Sequence, residues 1–432
     1  MRRRIAVSVI VLLAWGSGES WGGGLSFSEH GAKATGMGNA FAGQADDPSA
    51  LFYNPAGITQ LKGTQVIYGF SVVYLDATFR SSTTGEATQL QDQFPLVPHF
   101  FVTHKFKSWD KLSVGLGIYT PFGLTVDWPD NWQGRFTSIN AKFRATLIHP
   151  TVAYRVTEDL SVAAGLRWAN VAAEFQQKFN VGTGESKARV WDGTAAPIGW
   201  NVGLLYHFKD YSTSVGVQFR SEMQAQIGGT AEFSGPAGAL FTPTRFHSSF
   251  KMPPQLVAGI STKTIRNWTV NAEVEWEGWS TVGSLPLHFV STPDSPLKQQ
   301  TLDTPGRKLW KNSYVYRLGA EYKPEGRPYA FRAGYFFDET PIPDNTFDAN
   351  IPNANLHAFT AGSGYEWDLK RPLLDALGLD IAYLIGFYEK RSIDNSTLSP
   401  DNKGGALGLG PPAFGSYSTT AHVLTVSVTL KF

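Results

Sequence analysis

The chain has 432 residues, a formal net charge of +1 and no cysteine, and 42% of its residues are hydrophobic. A charge this close to zero gives no field that would attract nucleic acid, and the absence of cysteine excludes disulfide bonds. The 44 glycines and 16 tyrosines favour turns and sheets over helices. The length allows either several soluble domains or one large barrel.

The amino terminus has the plan of a secretory signal peptide. Arg2, Arg3 and Arg4 form a basic start, and the apolar run IAVSVIVLLAW follows it. This run is shorter than the roughly 20 apolar residues that a membrane-spanning helix needs. We therefore expect residues 1–22 to be a signal peptide and the mature chain to be exported.

Beyond residue 62, apolar and polar residues alternate with the period of two that is typical of β-strands. In the last such segment, HVLTVSVTLKF, the apolar side chains from Leu424 to Phe432 fall on one face. The pattern predicts about 14 strands, near residues 63–79, 95–106, 110–120, 140–157, 159–178, 195–208, 211–231, 254–264, 267–280, 310–323, 327–338, 356–368, 377–391 and 420–432.

The connections between these segments alternate in length. Short turns such as KSWDK, TED, TIRN and PEGR are separated by long irregular loops, and aromatic residues flank the short turns. This is the layout of outer-membrane barrels, in which the sheet closes because lipid cannot satisfy free backbone groups. The sequence therefore predicts an all-β membrane protein, a 14-stranded antiparallel transmembrane β-barrel over residues 62–432, in the outer membrane of a Gram-negative bacterium.

The face opposite the lipid must line the lumen. It carries charges of both signs, which we expect to pair with one another or with a plug: Arg167, Arg220, Glu273, Glu275, Arg317, Glu321, Arg332 and Asp380. It is also partly apolar in the first strand, at Ile67, Val73 and Leu75. An apolar lumen suits a conduit for hydrophobic molecules better than a pore for sugars or ions.

Residues 23–61 precede the first strand and do not alternate. They are rich in small residues and contain turn signals at Asp-Pro and Asn-Pro. A barrel of this strand number leaves a hole unless something fills it. We expect this segment to fold into the lumen as a hatch.

The segment DDPSALFYNPAG, after a G-x-G-x-A run, resembles the hatch of the FadL family of outer-membrane transporters for long-chain fatty acids. GIYTPFGL, VQFRSEM, WKNSYVYRLGAEY, RAGYFFDETPIPD and the terminal Phe432 resemble later parts of the family in the right order. The resemblance implies a plugged barrel that binds a hydrophobic ligand and releases it sideways into the membrane. We also expect a monomer with no cofactor or metal, and recognition of Phe432 by the barrel-assembly machinery.

The resemblance implies a lateral opening at Pro121, Phe122 and Gly123, where Pro121 removes a ladder donor and Gly123 allows a bend. The alternative is that Pro121 only ends the third strand. The motif Asn54, Pro55 and Ala56 corresponds to the hatch turn beneath the ligand, and a purely structural turn is the alternative.

A fatty acid needs a donor for its carboxylate. By resemblance Lys311 is the carboxylate partner, with Thr120 as a neighbouring hydroxyl. The family's second basic position falls on Gln177, beside Lys178, which leaves room for less charged ligands such as aromatic hydrocarbons. Ala237 to Phe241 form an apolar stretch in an outer loop where capture is expected.

Rival functions remain open at this point. A plain diffusion porin is one, and an outer-membrane lipase is another. The chain contains neither H-E-x-x-H nor G-x-S-x-G, and its nine histidines are scattered. We therefore expect a transporter and not an enzyme, with long-chain fatty acids or other hydrophobic molecules and outer-membrane lipid as its partners.

Overall fold

The computed structural model describes residues 25–180, 182, 184–208, 212–239, 244–290, 306–398 and 413–432. The predicted signal peptide lies outside these residues. Among them, no helix combines the length and the apolar character that crossing a bilayer would need.

The described residues form one 20-stranded antiparallel sheet. Its strands are β1 Thr64–Ser81, β2 Ala87–Gln89, β3 Leu96–Lys105, β4 Leu112–Asp127, β5 Asn140–Arg155, β6 Leu160–Asn180, β7 Glu185–Ala195, β8 Ile198–His207, β9 Thr213–Arg220, β10 Met223–Ser234, β11 Thr244–Met252, β12 Gln255–Thr262, β13 Trp268–Glu277, β14 Leu287–Phe289, β15 Ser313–Tyr322, β16 Tyr329–Asp338, β17 Leu356–Arg371, β18 Leu374–Tyr388, β19 Arg391–Ile393 and β20 Gly415–Lys431. Short 3-10 helices lie at Gly235–Ala239, Trp279–Thr281 and Asp344–Thr346.

Fourteen of these strands pair into a closed ring, as predicted. The ring runs through β1, β3, β4, β5, β6, β8, β9, β12, β13, β15, β16, β17, β18 and β20. It closes where β1 pairs with β20, from Gln65↔Lys431 to Ser81↔Gly415. Every predicted strand segment overlaps one wall strand, although β1, β4, β17 and β20, for example, extend beyond the predicted bounds.

The remaining strands extend the wall outward. The upper half of β6 leaves β8 and pairs with β7, which pairs with β10, which in turn pairs with β11 and β14. The predicted strand 211–231 is therefore two strands. The β-structure is interrupted at Ser221 and Glu222, between wall strand β9 and extension strand β10. Alternation alone does not distinguish strands in lipid from strands above it.

The two faces of the wall differ as the alternation predicts. Outward-facing Leu166, Trp200 and Leu318 are 51–58% exposed, which suits contact with lipid. Thr425 and Ser427 of β20 are buried and face the lumen. Aromatic residues next to the short turns, such as Trp109 and Trp268, are exposed on the outside.

Residues 25–61, which we call the hatch, contact the ring from inside. Hatch atoms bond to opposite sides of the ring: Asn54 to β8, Phe41 to β13 and Ala32 to β20. The side chains of Phe41, Ala42, Leu51 and Asn54 are at most 1% exposed. These contacts fill the lower lumen.

The hatch is built from single turns. It contains α1 at Ala32–Thr35, α2 at Ala50–Tyr53 and a 3-10 helix at Pro55–Gln60. Asn54 explains the Asn-Pro sequence, because its extended backbone and its side-chain oxygen, which accepts from Ala56 N–H at 3.2 Å, cap the 3-10 helix. Pro55 stands at the first helical position, where the missing N–H leaves no bond unmade.

The hatch and wall approach so closely that they touch backbone to backbone at Gly216. A Cβ at Gly216 would lie 1.9 Å from the carbonyl oxygen of Ala42. We expect Gly216→Ala to push the hatch off β9, at about 1–3 kcal/mol of stability, and to raise conductance in planar bilayers. Gly283→Ala is the control, since a Cβ there meets no atom within 4 Å. Equal conductance for both variants would contradict a tightly seated hatch.

Acid should loosen the hatch through Asp46, which bonds Lys33 at 2.8 Å and lies 3.9 Å from Lys263. Burial acts to raise the pKa of Asp46, but these ammonium groups hold it at about 2. Because the folded pKa is depressed, the stabilisation is present above pH 4 and is lost as the pH falls toward 2. We expect conductance to rise in that window, and Asp46→Asn to remove the dependence; an unchanged profile in this variant would exclude Asp46 as the group responsible.

Candidate functional site

The wall between β3 and β4 is paired only in its lower part. Their register runs upward to Phe100↔Ile118 and ends there, although β3 continues to pair with β1 up to Leu96. Higher up, the Gln91 N–H donates to the Asp127 carbonyl at 2.9 Å and closes the gap. The span of β4 between these points is about 30 Å long. We call it the wall window.

The predicted kink residues lie in this wall window. The β4–β5 register shifts between Tyr119 and Phe122, which is a β-bulge at Thr120 and Pro121. The strand does not end at Pro121, since it continues to Asp127 in register with β5. The alternative in which Pro121 only ends the strand is therefore wrong, and so is the predicted strand end at residue 120.

The vacated edge of β4 is covered by the first described residues of the hatch. Phe27 N–H donates to the Pro121 carbonyl at 2.8 Å, and Gly123 N–H donates to the Leu25 carbonyl at 2.9 Å. These bonds make Ser26 and Phe122 an antiparallel pair. We call Leu25–Phe27 the strap. It supplies the partners that a free strand edge in a membrane would lack.

A polar contact across the lumen holds the strap. The Ser26 hydroxyl donates to Glu277 of β13 at 2.6 Å, and Glu277 also accepts from Gln255 at 2.7 Å. On the hatch side, the Tyr53 hydroxyl donates to the Ser28 carbonyl at 2.6 Å. The strap is therefore tied to the wall and to the hatch body by a few bonds at identifiable atoms.

Buried apolar side chains pack together in the outer half of the interior. Buried aromatic pairs line it, including Phe143 against Phe250 at 5.1 Å and Trp279 against Trp310 at 5.1 Å between ring centroids. Other members of this lining are Leu124, Val126, Trp128, Trp132, Met223, Phe246 and Met252. We call this region the apolar chamber. Phe122 joins it to the strap, since Phe122 packs edge-on against Trp279.

Below the apolar chamber, buried arginines meet carboxylates. Arg317 lies 2.6 Å from Glu275 and 3.0 Å from Glu273, and Arg332 lies 2.7 Å from Glu321. Glu273 also accepts the N–H groups of Phe41 and Ala42 of the hatch. The expected mutual pairing of lumen charges is thus present, together with bonds to the plug. Arg220 and Arg391 likewise have carboxylate partners, Glu275 and Asp344.

Arg167 is the exception. Its side chain is 1% exposed, and among the described residues no carboxylate lies within ion-pair distance. Its Nη1 donates to the Ser221 carbonyl at a long 3.4 Å, and its Nε has no partner in this part of the chain. The Tyr119 hydroxyl lies beside the guanidinium and also contacts His149 Nδ1 at 2.9 Å.

The unpaired guanidinium lies at the floor of the apolar chamber and next to the wall window. Tyr119 immediately precedes the bulge, and its ring packs against Phe52 of the hatch with centroids 5.3 Å apart. Arg167 also faces Gly199 across the β6–β8 ladder, where a Cβ would touch Met223 of the chamber. The alternation pattern placed Arg167 in the lumen, but only the tertiary structure shows that it has no carboxylate partner among the described residues.

The predicted ligand-binding residues do not come together. Thr120 is buried at the bulge, where its hydroxyl contacts Thr146 at 3.1 Å. Lys311 is exposed in an open crevice at the outer end of the barrel. Gln177 points inward on the outer part of β6, and its buried side-chain nitrogen has no partner among the described residues. Lys178 lies on the opposite face and bonds Glu185 at 3.2 Å.

Asn54 has its amide fully used in structural bonds. It donates to the carbonyls of Ala42 and Leu204 at 2.9 and 3.0 Å. Pro55 and Ala56 follow in the 3-10 helix against β8. Ala237–Ala239 lie in the outer 3-10 helix, whereas residues 240 and 241 of the expected capture patch lie outside the described residues. The described residues hold no metal-binding group of histidines and carboxylates.

Two curated proteins are similar in sequence over most of their length. The chain is 24% identical over 400 residues to the long-chain fatty acid transport protein of Salmonella typhi, covering 84% of this chain and 88% of that protein. It is 22% identical over 422 residues to outer membrane protein P1 of Haemophilus influenzae, with the same coverage of 84% and 88%.

Solved structures share the fold. A FadL homologue from Pseudomonas aeruginosa superposes with a TM-score of 0.79 at 18% identity, covering 95% of this chain and all of that one. The toluene transporter TodX of Pseudomonas putida gives a TM-score of 0.71 at 17% identity, covering 94% and 99%. The family model for outer membrane protein transport proteins (OMPP1/FadL/TodX) matches residues 13–432, so the chain belongs to this family of outer-membrane β-barrels.

Proposed function

We propose that this protein moves long-chain fatty acids or similar hydrophobic molecules passively from the outside into the outer membrane. Two of the similar proteins named above are called a long-chain fatty acid transport protein and a toluene transporter. The apolar chamber supports this proposal, because apolar surface buried around a ligand chain supplies the driving force for its binding. A diffusion porin fits poorly with a lower lumen filled by the hatch.

The observation that carries the fatty-acid assignment is Arg167. A buried guanidinium without a counter-ion costs several kcal/mol, so such a group is retained where a partner completes it. A carboxylate at Arg167 would receive charge-assisted hydrogen bonds in a desolvated site. The acyl chain would then extend upward among the aromatic side chains of the apolar chamber.

Release would occur through the wall window. The strap is held to β4 by two backbone hydrogen bonds, to Pro121 and from Gly123. If the strap leaves, the space between β3 and β4 opens sideways at the level of the bulge. In this proposal Thr120, Pro121, Phe122 and Gly123 line the exit, and the hatch takes a direct part in gating. The monomeric state and the use of Phe432 by the barrel-assembly machinery stay predictions.

Neutral aromatic hydrocarbons are the second candidate ligands. The observation that favours them is the aromatic lining of the chamber, against which planar rings stack well. Such a ligand does not need Arg167. Substitution of Arg167 therefore distinguishes the two candidate ligands.

Replacing Arg167 tests the head-group assignment. We expect Arg167→Met to weaken oleate binding about 10- to 100-fold, because charge-assisted bonds to the carboxylate are lost, and to leave toluene binding unchanged. Calorimetric titration of the purified protein measures both ligands. The melting temperature should not fall, since an apolar side chain replaces an uncompensated buried charge.

Arg167→Lys serves as the control that keeps the charge, and we expect it to retain most of the oleate affinity. Lys311→Gln is the matched removal of a cation outside the chamber. Loss of oleate binding in Lys311→Gln but not in Arg167→Met would return the head-group role to Lys311. Equal weakening of oleate and toluene by Arg167→Met would reduce Arg167 to a structural residue.

The strap can be locked because the chain has no cysteine of its own. Ser26 and Phe122 form a pair flanked by the two backbone bonds, which is the close, non-hydrogen-bonded geometry that a cross-strand disulfide fits. We expect oxidised Ser26→Cys/Phe122→Cys to bind oleate but to block its uptake into cells. Reduction should restore uptake.

The single variant Phe122→Cys controls for the loss of the aromatic side chain. Full uptake by the oxidised double variant, with the disulfide verified by mass spectrometry, would rule out release past the strap.

A further inference from the structure

A buried histidine of the hatch lies directly behind the strap. His30 is 0% exposed, and neither of its ring nitrogens has a hydrogen-bond partner among the described residues. A neutral imidazole always carries one N–H donor, so the seated hatch leaves at least one donor unsatisfied. This polar group would gain a partner if the strap moved and water reached it.

Four rings enclose the imidazole of His30. The ring centroid of Phe27 in the strap lies 5.3 Å from that of His30, and that of Phe52 in the hatch lies 4.6 Å away. The rings of Tyr119 on β4 and His99 on β3 lie 5.3 and 6.4 Å away. We call this group the histidine cage. Because one of its walls belongs to the strap, movement of the strap would open the cage.

The charged groups that face the histidine cage from the wall are positive. Arg220 of β9 lies 4.5 Å from the ring centroid of Phe52 and donates to the Phe52 carbonyl at 2.7 Å. Arg167 of β6 lies beside Tyr119, whose hydroxyl contacts His149 of β5 at 2.9 Å. A proton bound by the caged imidazole would therefore place a further positive charge beside two guanidinium groups.

The acidic groups near the strap do not compensate such a charge. Among the described residues, no carboxylate forms a hydrogen bond with the ring of His30. Glu29 precedes it and accepts from the side-chain amide of Asn39 at 2.9 Å, and Glu277 of β13 accepts from the strap hydroxyl at 2.6 Å. The hydroxyl of Tyr53 accepts only the backbone N–H of His30, at 3.3 Å.

These surroundings favour a neutral His30 while the hatch is seated. Burial lowers the pKa of the imidazole well below its usual value of 6.5, and His99 and Arg220 lower it further. The carbonyl groups of Phe27 and Thr120 act in the opposite direction but are outweighed. Because the pKa is depressed in the closed state, that state has its full stability above pH 6.5 and loses stability as the pH falls below it.

We infer that His30 is a proton-sensitive latch: a neutral imidazole keeps the strap on β4, and uptake of one proton from water favours release of the strap. The inference rests on the proposed function only in taking the strap as the gate. The proton adds to a ring nitrogen, and no covalent bond between heavy atoms changes. Glu29 acts in the opposite sense, because burial raises its pKa and its protonation therefore favours the closed state.

The rate at which a water-soluble maleimide labels Ser26→Cys measures release of the strap, since the side chain at this position is 8% exposed when the strap is closed. Full-length mature protein in phosphatidylcholine nanodiscs is labelled at pH 7.5 and 5.5, with His30 and with His30→Gln. The ratio of the two rates cancels the titration of the thiol, Glu29 and Glu277, which both proteins share. We expect this ratio to rise about tenfold at pH 5.5, because only the open state binds the proton near pH 6.5.

His104→Gln is the matched control, because His104 lies at the lower end of β3, where it contacts the Thr64 hydroxyl at 2.9 Å. This variant should keep the response to acid. His30→Leu is a second variant that cannot titrate, and it should behave as His30→Gln does. The same pH dependence with His30 and with either neutral variant would overturn the latch.

The labelling experiment uses neither a ligand nor uptake, so its result is separate from the proposed function. If labelling depends on His30 but oleate uptake is absent, the proposed function fails and the latch stands. If the disulfide between positions 26 and 122 blocks uptake but labelling does not depend on His30, only the latch is removed.

Discussion

The fold depends on one requirement: inside a bilayer, every backbone N–H and C=O group needs a partner within the protein. The ring of wall strands meets this requirement nearly everywhere by strand pairing. It is interrupted between β3 and β4, above the pair Phe100 and Ile118, and there the strap pairs with β4 instead. The strap, at the amino-terminal end of the hatch, thus covers the exposed edge of β4. Closure of the wall therefore depends on the position of the hatch.

The second constraint acts in the lumen, where buried charge needs a counter-charge. Most lumen arginines meet it with carboxylates on neighbouring strands, and the hatch meets part of it with backbone N–H groups that point at Glu273. Arg167 departs from this pattern at the point where the chamber, the hatch and the wall window meet. Under the proposed function, the carboxylate of the ligand would complete this pair.

Strand count and facing could be predicted from the sequence because lipid contact imposes a strict period of two. The first strand shows this: Ile67 and Val73 are buried and Tyr68 is exposed, as the alternation requires. The outer extension could not be predicted in the same way, since alternation does not tell whether a strand pairs within the wall ring or, like β7 and β11, beyond it. Pro121 appeared to end its strand, whereas a bulge lets β4 absorb the proline and continue.

The sequence by itself determined the closed barrel, the side of the wall that faces lipid, the presence of a hatch segment and the family, because these follow from local periodicity and short motifs. Only the tertiary structure decided which charges have partners, what covers the free edge of β4 and where each binding candidate lies. Lys311 and Arg167 illustrate the difference, because the sequence shows each of them only as a basic residue in a predicted strand. Contacts between residues far apart in the chain place Lys311 in an outer crevice and leave Arg167, beside the wall window, without a carboxylate partner among the described residues.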